Sequence, residues 1–175
     1  IGRGVHKNLP EDLNVKFAYT FDGGKVGEID NETFSADSAE VLIKGVSIHP
    51  GDAKNEMVNA IHLASEIINN LPLKTMTPEV TENREGFIHA TDMIGNSSEM
   101  RIKFILRDFE LKGLDEKKEI LEKLCKKIQL AEPRAKINIF FKRQYRNMRY
   151  WLDENRMPLE IAEKALHNKC IQPIK

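Results

Sequence analysis

Cysteine is scarce in this chain. Cys125 and Cys170 are the two in 175 residues, too few for a disulfide framework or a cysteine-rich metal cluster. That usage fits a reducing compartment, so the expected location is cytoplasmic. An excess of charge is also missing. The 27 Lys plus Arg balance 27 Asp plus Glu, which leaves no electrostatic footprint for nucleic acid or an anionic membrane surface. No apolar run approaches the roughly 20 residues that span a bilayer, and there is no signal-peptide pattern. Cys-x-x-Cys, Walker and Gly-x-Gly-x-x-Gly patterns are absent. His62, His89 and His167 have no ligand spacing with one another, and His6 stands alone. The first residue is Ile1 rather than Met, and Gln172-Pro173-Ile174-Lys175 adds no closing element, so both ends are expected to be cut.

What is present is a well-punctuated series of elements. Phe17 to Phe21 reads as a short strand, and Asp22-Gly23-Gly24 as a hairpin turn into a second extended run, Lys25 to Asp30. Ala36 to His49 reads as extended until Pro50-Gly51 stops it. Asp52 then predicts an N-cap for an amphipathic helix over residues 53–70, where Met57, Ala60, Ile61, Ala64, Ile67, Ile68 and Leu71 recur at helical spacing. Pro72 to Arg84 reads as a loop. Gly86 to Ile94 reads as a strand, Gly95-Asn96-Ser97 as a turn, and Glu99 to Phe109 as a half-buried strand of alternating apolar and charged residues.

A second helix is predicted from Gly113 to Gln129. Its stripe of Ile120, Leu121, Leu124, Cys125 and Ile128 makes Cys125 a buried thiol rather than a reactive one. Lys117, Lys118, Lys123, Lys126 and Lys127 alternate with acidic residues there and read as a solvated face. Lys136 to Tyr145 reads as a further strand, and Pro158 opens a third helix, Leu159 to Asn168. The order from Ala36 to Tyr145 is therefore βαββαβ. It predicts an α+β, ferredoxin-like unit with two helices on one face of a four-stranded antiparallel sheet. Residues 35–145 are expected to form a lid inserted in a larger domain, with residues 1–34 leading in and 146–175 leading back.

Three places carry residues suited to chemistry, each with a structural alternative. Asp22 serves either as a turn residue, bonding its own backbone, or as a carboxylate metal ligand. His49 ends a strand next to a predicted helix N-terminus, where an imidazole donor suits an oxyanion. Arg107 lies on the polar side of its strand. It serves either a surface ion pair of little worth or two-point binding of a substrate carboxylate.

Read in order, these segments resemble the peptidase T family of two-zinc exopeptidases. The matching stretches are Ile1-Gly2-Arg3-Gly4-Val5, Phe17-Ala18-Tyr19-Thr20-Phe21-Asp22-Gly23-Gly24 with Gly27-Glu28, and His49-Pro50-Gly51-x-Ala53-Lys54 with Met57-Val58-Asn59-Ala60. Glu85-Gly86-Phe87, Arg107-Asp108-Phe109 and Tyr145-x-Asn147-Met148-Arg149 follow. Val5-His6-Lys7-Asn8-Leu9-Pro10 departs from that family's acidic and aromatic stretch.

The resemblance implies a fragment of an aminotripeptidase, which removes the N-terminal residue of tripeptides. It implies Asp22 as a ligand of one of two zinc ions, His49 as the lid residue on the scissile carbonyl oxygen, and Arg107 as the group on the peptide's terminal carboxylate. The other ligands and the catalytic Glu pair match nothing here, so these 175 residues alone are expected to be inactive. A homodimer through the lid is a possible assembly. Two other readings stay open: a non-catalytic interaction module, whose exposed sheet edge pairs with its twin, and a metabolite-binding ferredoxin-like domain.

Overall fold

A computed structural model describes residues 15–175. Ile1-Gly2-Arg3-Gly4-Val5, His6 and the rest of the departing stretch lie outside the described residues. The chain separates into two units, one holding residues 15–31 and 149–175 and the other running from Glu32 to Met148.

The larger unit contains β1 (Ser35–Lys44), α1 (Ala60–Asn69), β2 (Phe87–Gly95), β3 (Glu99–Asp108), α2 (Leu111–Ala131) and β4 (Lys136–Tyr145). The sheet order is β2-β3-β1-β4 and every pairing is antiparallel. This is the ferredoxin-like arrangement that the element order predicts.

Register sorts the side chains. Val41 lies opposite Ile102 and Ile139, and Ile43 opposite Met100 and Ile137. Ala39 lies opposite Phe104 and Phe141. These residues share the face covered by α1 and α2, where they meet Leu63, Ala64, Ile67, Leu114, Leu121, Cys125 and Ile128. Each large side chain buried there contributes roughly 1.5–3 kcal/mol of transfer free energy. The other face carries Leu42, Glu40 and Ser38 of β1 beside Arg101, Lys103 and Ile105 of β3.

Three local expectations are corrected. First, α1 begins at Ala60, not near residue 53. Asn55 has φ +64, which interrupts a helical run, and Val58 is drawn into a two-way backbone bridge with Val46. Asn59 is the N-cap, its Oδ1 accepting from the Ile61 N–H at 2.9 Å. Asp52 ends only a single 3-10 turn, Pro50–Asp52.

Second, Lys117 is not on a solvated face. It is 4% exposed, with its ammonium 2.6 Å from Asp108 Oδ2. Gly86 and Gly113 make room for this pair, since a Cβ at Gly86 would stand 2.3 Å from Asp108 Oδ2 and 2.7 Å from Lys117 Nζ.

Third, residues 17–30 form no hairpin. In the smaller unit, Ile29 N–H donates to Ile174 O at 2.8 Å and Ile174 N–H to Gly27 O at 2.8 Å, a parallel bridge that takes the backbone groups a hairpin would need. Gly27 permits it with φ +91, where a Cβ would stand 2.5 Å from Gln172 O. The same unit holds α3 (Arg149–Glu154), which the sequence reading lacks, and α4 (Met157–His167) with Pro158 in its first turn. Tyr19 Oη donates to Pro158 O at 2.5 Å.

Candidate functional site

Arg107 stands near the C-terminal end of β3, opposite Phe87 of β2 on one side and Ala36 of β1 on the other. The small Ala36 leaves room on its flank, and Phe34 approaches from the segment before β1. The guanidinium carbon is 5.9 Å from the ring centroids of both Phe34 and Phe87. Those rings meet edge to face at 5.6 Å. Phe109 stacks on Phe34 at 4.2 Å, and Arg84 covers Phe109 at 4.8 Å.

The two arginines differ in one decisive respect. Arg84 pairs with Glu32 and Glu110. Arg107 Nε is buried with no hydrogen-bond partner, and no carboxylate among the described residues pairs with its guanidinium. A buried N–H without a partner costs about 1–3 kcal/mol.

Buried polar groups hold this strand end in place. Asp108 Oδ1 accepts from the Glu110 N–H at 2.9 Å while Oδ2 takes the Lys117 ammonium. Asn147, fully buried, donates to Phe109 O at 3.2 Å and Glu32 Oε1 at 2.9 Å, and accepts from the Thr33 N–H. Nearby, Asp37 is 2% exposed and lies 2.6 Å from Arg146 Nη1 and 2.7 Å from Lys118 Nζ. Burial pushes the Asp37 carboxyl up, but the hydrogen bonds and charges of Arg146 and Lys118 together outweigh it, so the carboxyl titrates below its ordinary value. Lys118 mirrors this: burial lowers its ammonium, and the bonds and charges of Asp37 and Asp115 raise it further.

His49 lies beyond the other end of β1, with its side chain 82% exposed. Its Nδ1 accepts from the Gly51 N–H at 3.2 Å. Nδ1 also lies 4.0 Å from Asp52 Oδ2, so both contacts of the ring are on that side and Nε2 has no partner among the described residues. No α-helix N-terminus adjoins His49, contrary to the sequence expectation, because a single 3-10 turn follows it rather than α1.

His49 and Arg107 do not meet. Ala36 pairs with Arg107 while Lys44 pairs with Glu99. The length of β1, roughly 25 Å at 3.2–3.4 Å per residue, therefore lies between the two residues. An extended tripeptide reaches about 10 Å.

Asp22 belongs to the smaller unit, is exposed, and has Oδ1 accepting from the Gly23 N–H at 2.8 Å, the turn bond of the structural reading. Among the described residues no three His, Cys, Asp or Glu come together to hold a metal ion. One carboxylate does not make a zinc site, which needs three or four converging ligands.

Sequence reasoning passed over Phe34 and the Asp37 cluster. Asp37 had a readable signal, since it shares the odd-numbered phase of Ala39, Val41 and Ile43 and so points a charge at the helices. Phe34 had none, because its ring joins Arg107 only through the pairing of β1 with β3.

Comparison with known proteins agrees with the fold. The chain is 38% identical to a peptidase T of Streptococcus thermophilus over 174 residues, covering 99% of this chain and 42% of that protein. It thus spans about two fifths of the length of the relatives it matches. Among solved structures it resembles aminopeptidase PepT of Bacillus cereus, with TM-score 0.73, 18% identity and coverage of 94% of this chain and 43% of that one. A tripeptidase of Staphylococcus aureus gives TM-score 0.73 at 17% identity, covering 95% and 45%. A dinuclear metal-binding peptidase of Bacillus subtilis gives 0.52 at 17%, covering 81% and 33%. Residues 31–133 match the peptidase dimerisation domain, and the chain belongs to that M20 peptidase dimerisation-domain family.

Proposed function

We propose that these residues form the lid and flanking segments of a metal-dependent aminopeptidase that cleaves tripeptides, with zinc as the metal and the cytoplasm as its location. The observation that carries this reading is the Arg107 guanidinium, which no carboxylate among the described residues neutralises, set beside two aromatic rings on a braced strand end. A guanidinium so placed suits a planar carboxylate. Fixed at one distance from the reacting bond, it favours short peptides over long ones. Asp22 is the chain's contribution to the metal, and the other ligands have to come from outside the described residues. His49 is the donor for the scissile carbonyl oxygen, through Nε2–H.

The separation of His49 and Arg107 supports a homodimer, since one copy cannot place both on one tripeptide. The β2 edge suits self-pairing. From Ala90 to Gly95 it is exposed and nearly uncharged, with Met93 and Ile94 among its side chains. The β4 edge instead carries Lys136, Lys142 and Arg143, the charges that discourage edge pairing. Two β2 strands joined antiparallel bring the Gly95 end of one copy beside the Phe87 end of the other. That places one copy's His49 at the same end of the joined sheet as its partner's Arg107.

Complementation tests the arrangement. On a tripeptide held well below KM, full-length His49→Ala and Arg107→Ala enzymes are each expected to lose most of their activity. Mixed in equal amounts and allowed to exchange, half the dimers are heterodimers with one intact site, which restores about a quarter of wild-type activity. No restoration despite proven exchange rules out a shared site.

A further inference from the structure

Resting on the assignment of Arg107 to a substrate carboxylate, we infer that Phe34 and Phe87 read the side chain of the residue bearing that carboxylate. They would favour tripeptides with an apolar, flat C-terminal residue. The guanidinium carbon is 5.9 Å from each ring centroid, and both rings are half-buried rather than sealed. A carboxylate on Arg107 has its Cα one bond, about 1.5 Å, beyond the carboxyl carbon. The side chain leaves from that Cα, within reach of the rings. Phe109 sits beside a different cation, Arg84, whose charge Glu32 and Glu110 already neutralise.

The corner thus offers a cation for the carboxylate and two ring surfaces beside it. Aromatic rings there also exclude water from the guanidinium, which strengthens its hold on an anion. A charged C-terminal side chain gains nothing from such walls. A small one leaves them uncovered.

The probes are single capped residues, which need no length match: N-acetylphenylalanine, N-acetylalanine and N-acetylphenylalaninamide. Each is titrated into this chain while the Arg107 Nε–H and the ring resonances of Phe34 and Phe87 are followed by NMR. The phenylalanine acid is expected to shift all three and bind roughly two- to tenfold tighter than the alanine acid, the range spanned by aromatic contacts. The amide is expected to fail. Phe87→Leu, checked for retained amide dispersion, is expected to close the gap between the two acids while keeping acid over amide. Equal binding of the two acids to the wild-type chain overturns the ring assignment and leaves the carboxylate role standing. Equal binding of acid and amide overturns the Arg107 assignment, and the absence of any shift at 10 mM probe overturns both.

Discussion

Replacing Asp37 with Asn keeps its shape and removes its charge. The carboxylate is 2% exposed and holds Arg146 at 2.6 Å and Lys118 at 2.7 Å. Breaking a fully buried ion pair by removing one partner costs about 3–5 kcal/mol. Here the cost is lower, because Arg146 keeps the carbonyls of Ala36 at 3.0 Å and Tyr145 at 2.9 Å, and Lys118 keeps Asp115 at 3.2 Å. A loss of about 2–3 kcal/mol at pH 7 is expected, which at a urea slope of about 1–3 kcal/mol/M moves the midpoint down by about 0.7–3 M. The pH dependence gives a second handle. The folded-state pKa of Asp37 lies below its usual 3.8, so its stabilisation is fully present above that value and is lost as pH falls through the folded pKa. Asn lacks this dependence. The gap between wild type and variant should therefore hold constant through neutral pH and narrow in acid. A gap below about 1 kcal/mol at pH 7, or one that persists unchanged to pH 2, refutes the claim that this carboxylate anchors the β1–β4 end.

Other expectations follow from the same structure. Burial pushes the Cys125 thiol up to about 11 and Cys170 is exposed, so a thiol reagent at pH 7.5 should modify one cysteine quickly and the other only after urea is added; two fast thiols contradict the buried position of Cys125. Ile94→Lys at an edge residue that is 60% exposed should convert the proposed dimer to monomer in light scattering at unchanged helix content, and an unchanged mass moves the interface elsewhere. Arg107→Ala in the full-length enzyme should relax the preference for tripeptides over longer peptides, mainly through KM; identical length profiles for mutant and parent remove the carboxylate role.

Periodicity carried the fold where a single face decides an element. The alternation through Glu99–Asp108 and the stripe of α2 are set by burial, and burial leaves its period in the sequence. Boundaries set by backbone pairing at a distance were not legible. Nothing local to residues 53–59 shows that Val58 will bridge to Val46, and nothing in 25–30 shows that Ile29 will bond Ile174. Lys117 misled for a related reason. Its type belongs on a surface, and only the turn that carries Asp108 beneath α2 supplies the counter-charge that permits burial. At the candidate site, the residue types were legible through family motifs, whereas the distance between His49 and Arg107 was not. That distance depends on which end of β1 each one adjoins, a matter of register.

The placement of the buried polar groups closes the β1–β4 end of the sheet and braces the end of β3. β1 and β4 are antiparallel neighbours, with Ala36 opposite Tyr145, so the chain enters and leaves the sheet at one end. Asn147 laces the two crossings together through Thr33 and Glu32, and the Ser35 Oγ accepts from its backbone N–H. The same Asn147 holds the carbonyl of Phe109, two residues beyond Arg107. The strand end is therefore braced by Asn147 and the Lys117–Asp108 pair while the Arg107 Nε is left without a partner. Rigid support of this kind is what the proposed carboxylate-binding role of Arg107 requires, since a binding group is preorganised only when its surroundings hold it in place.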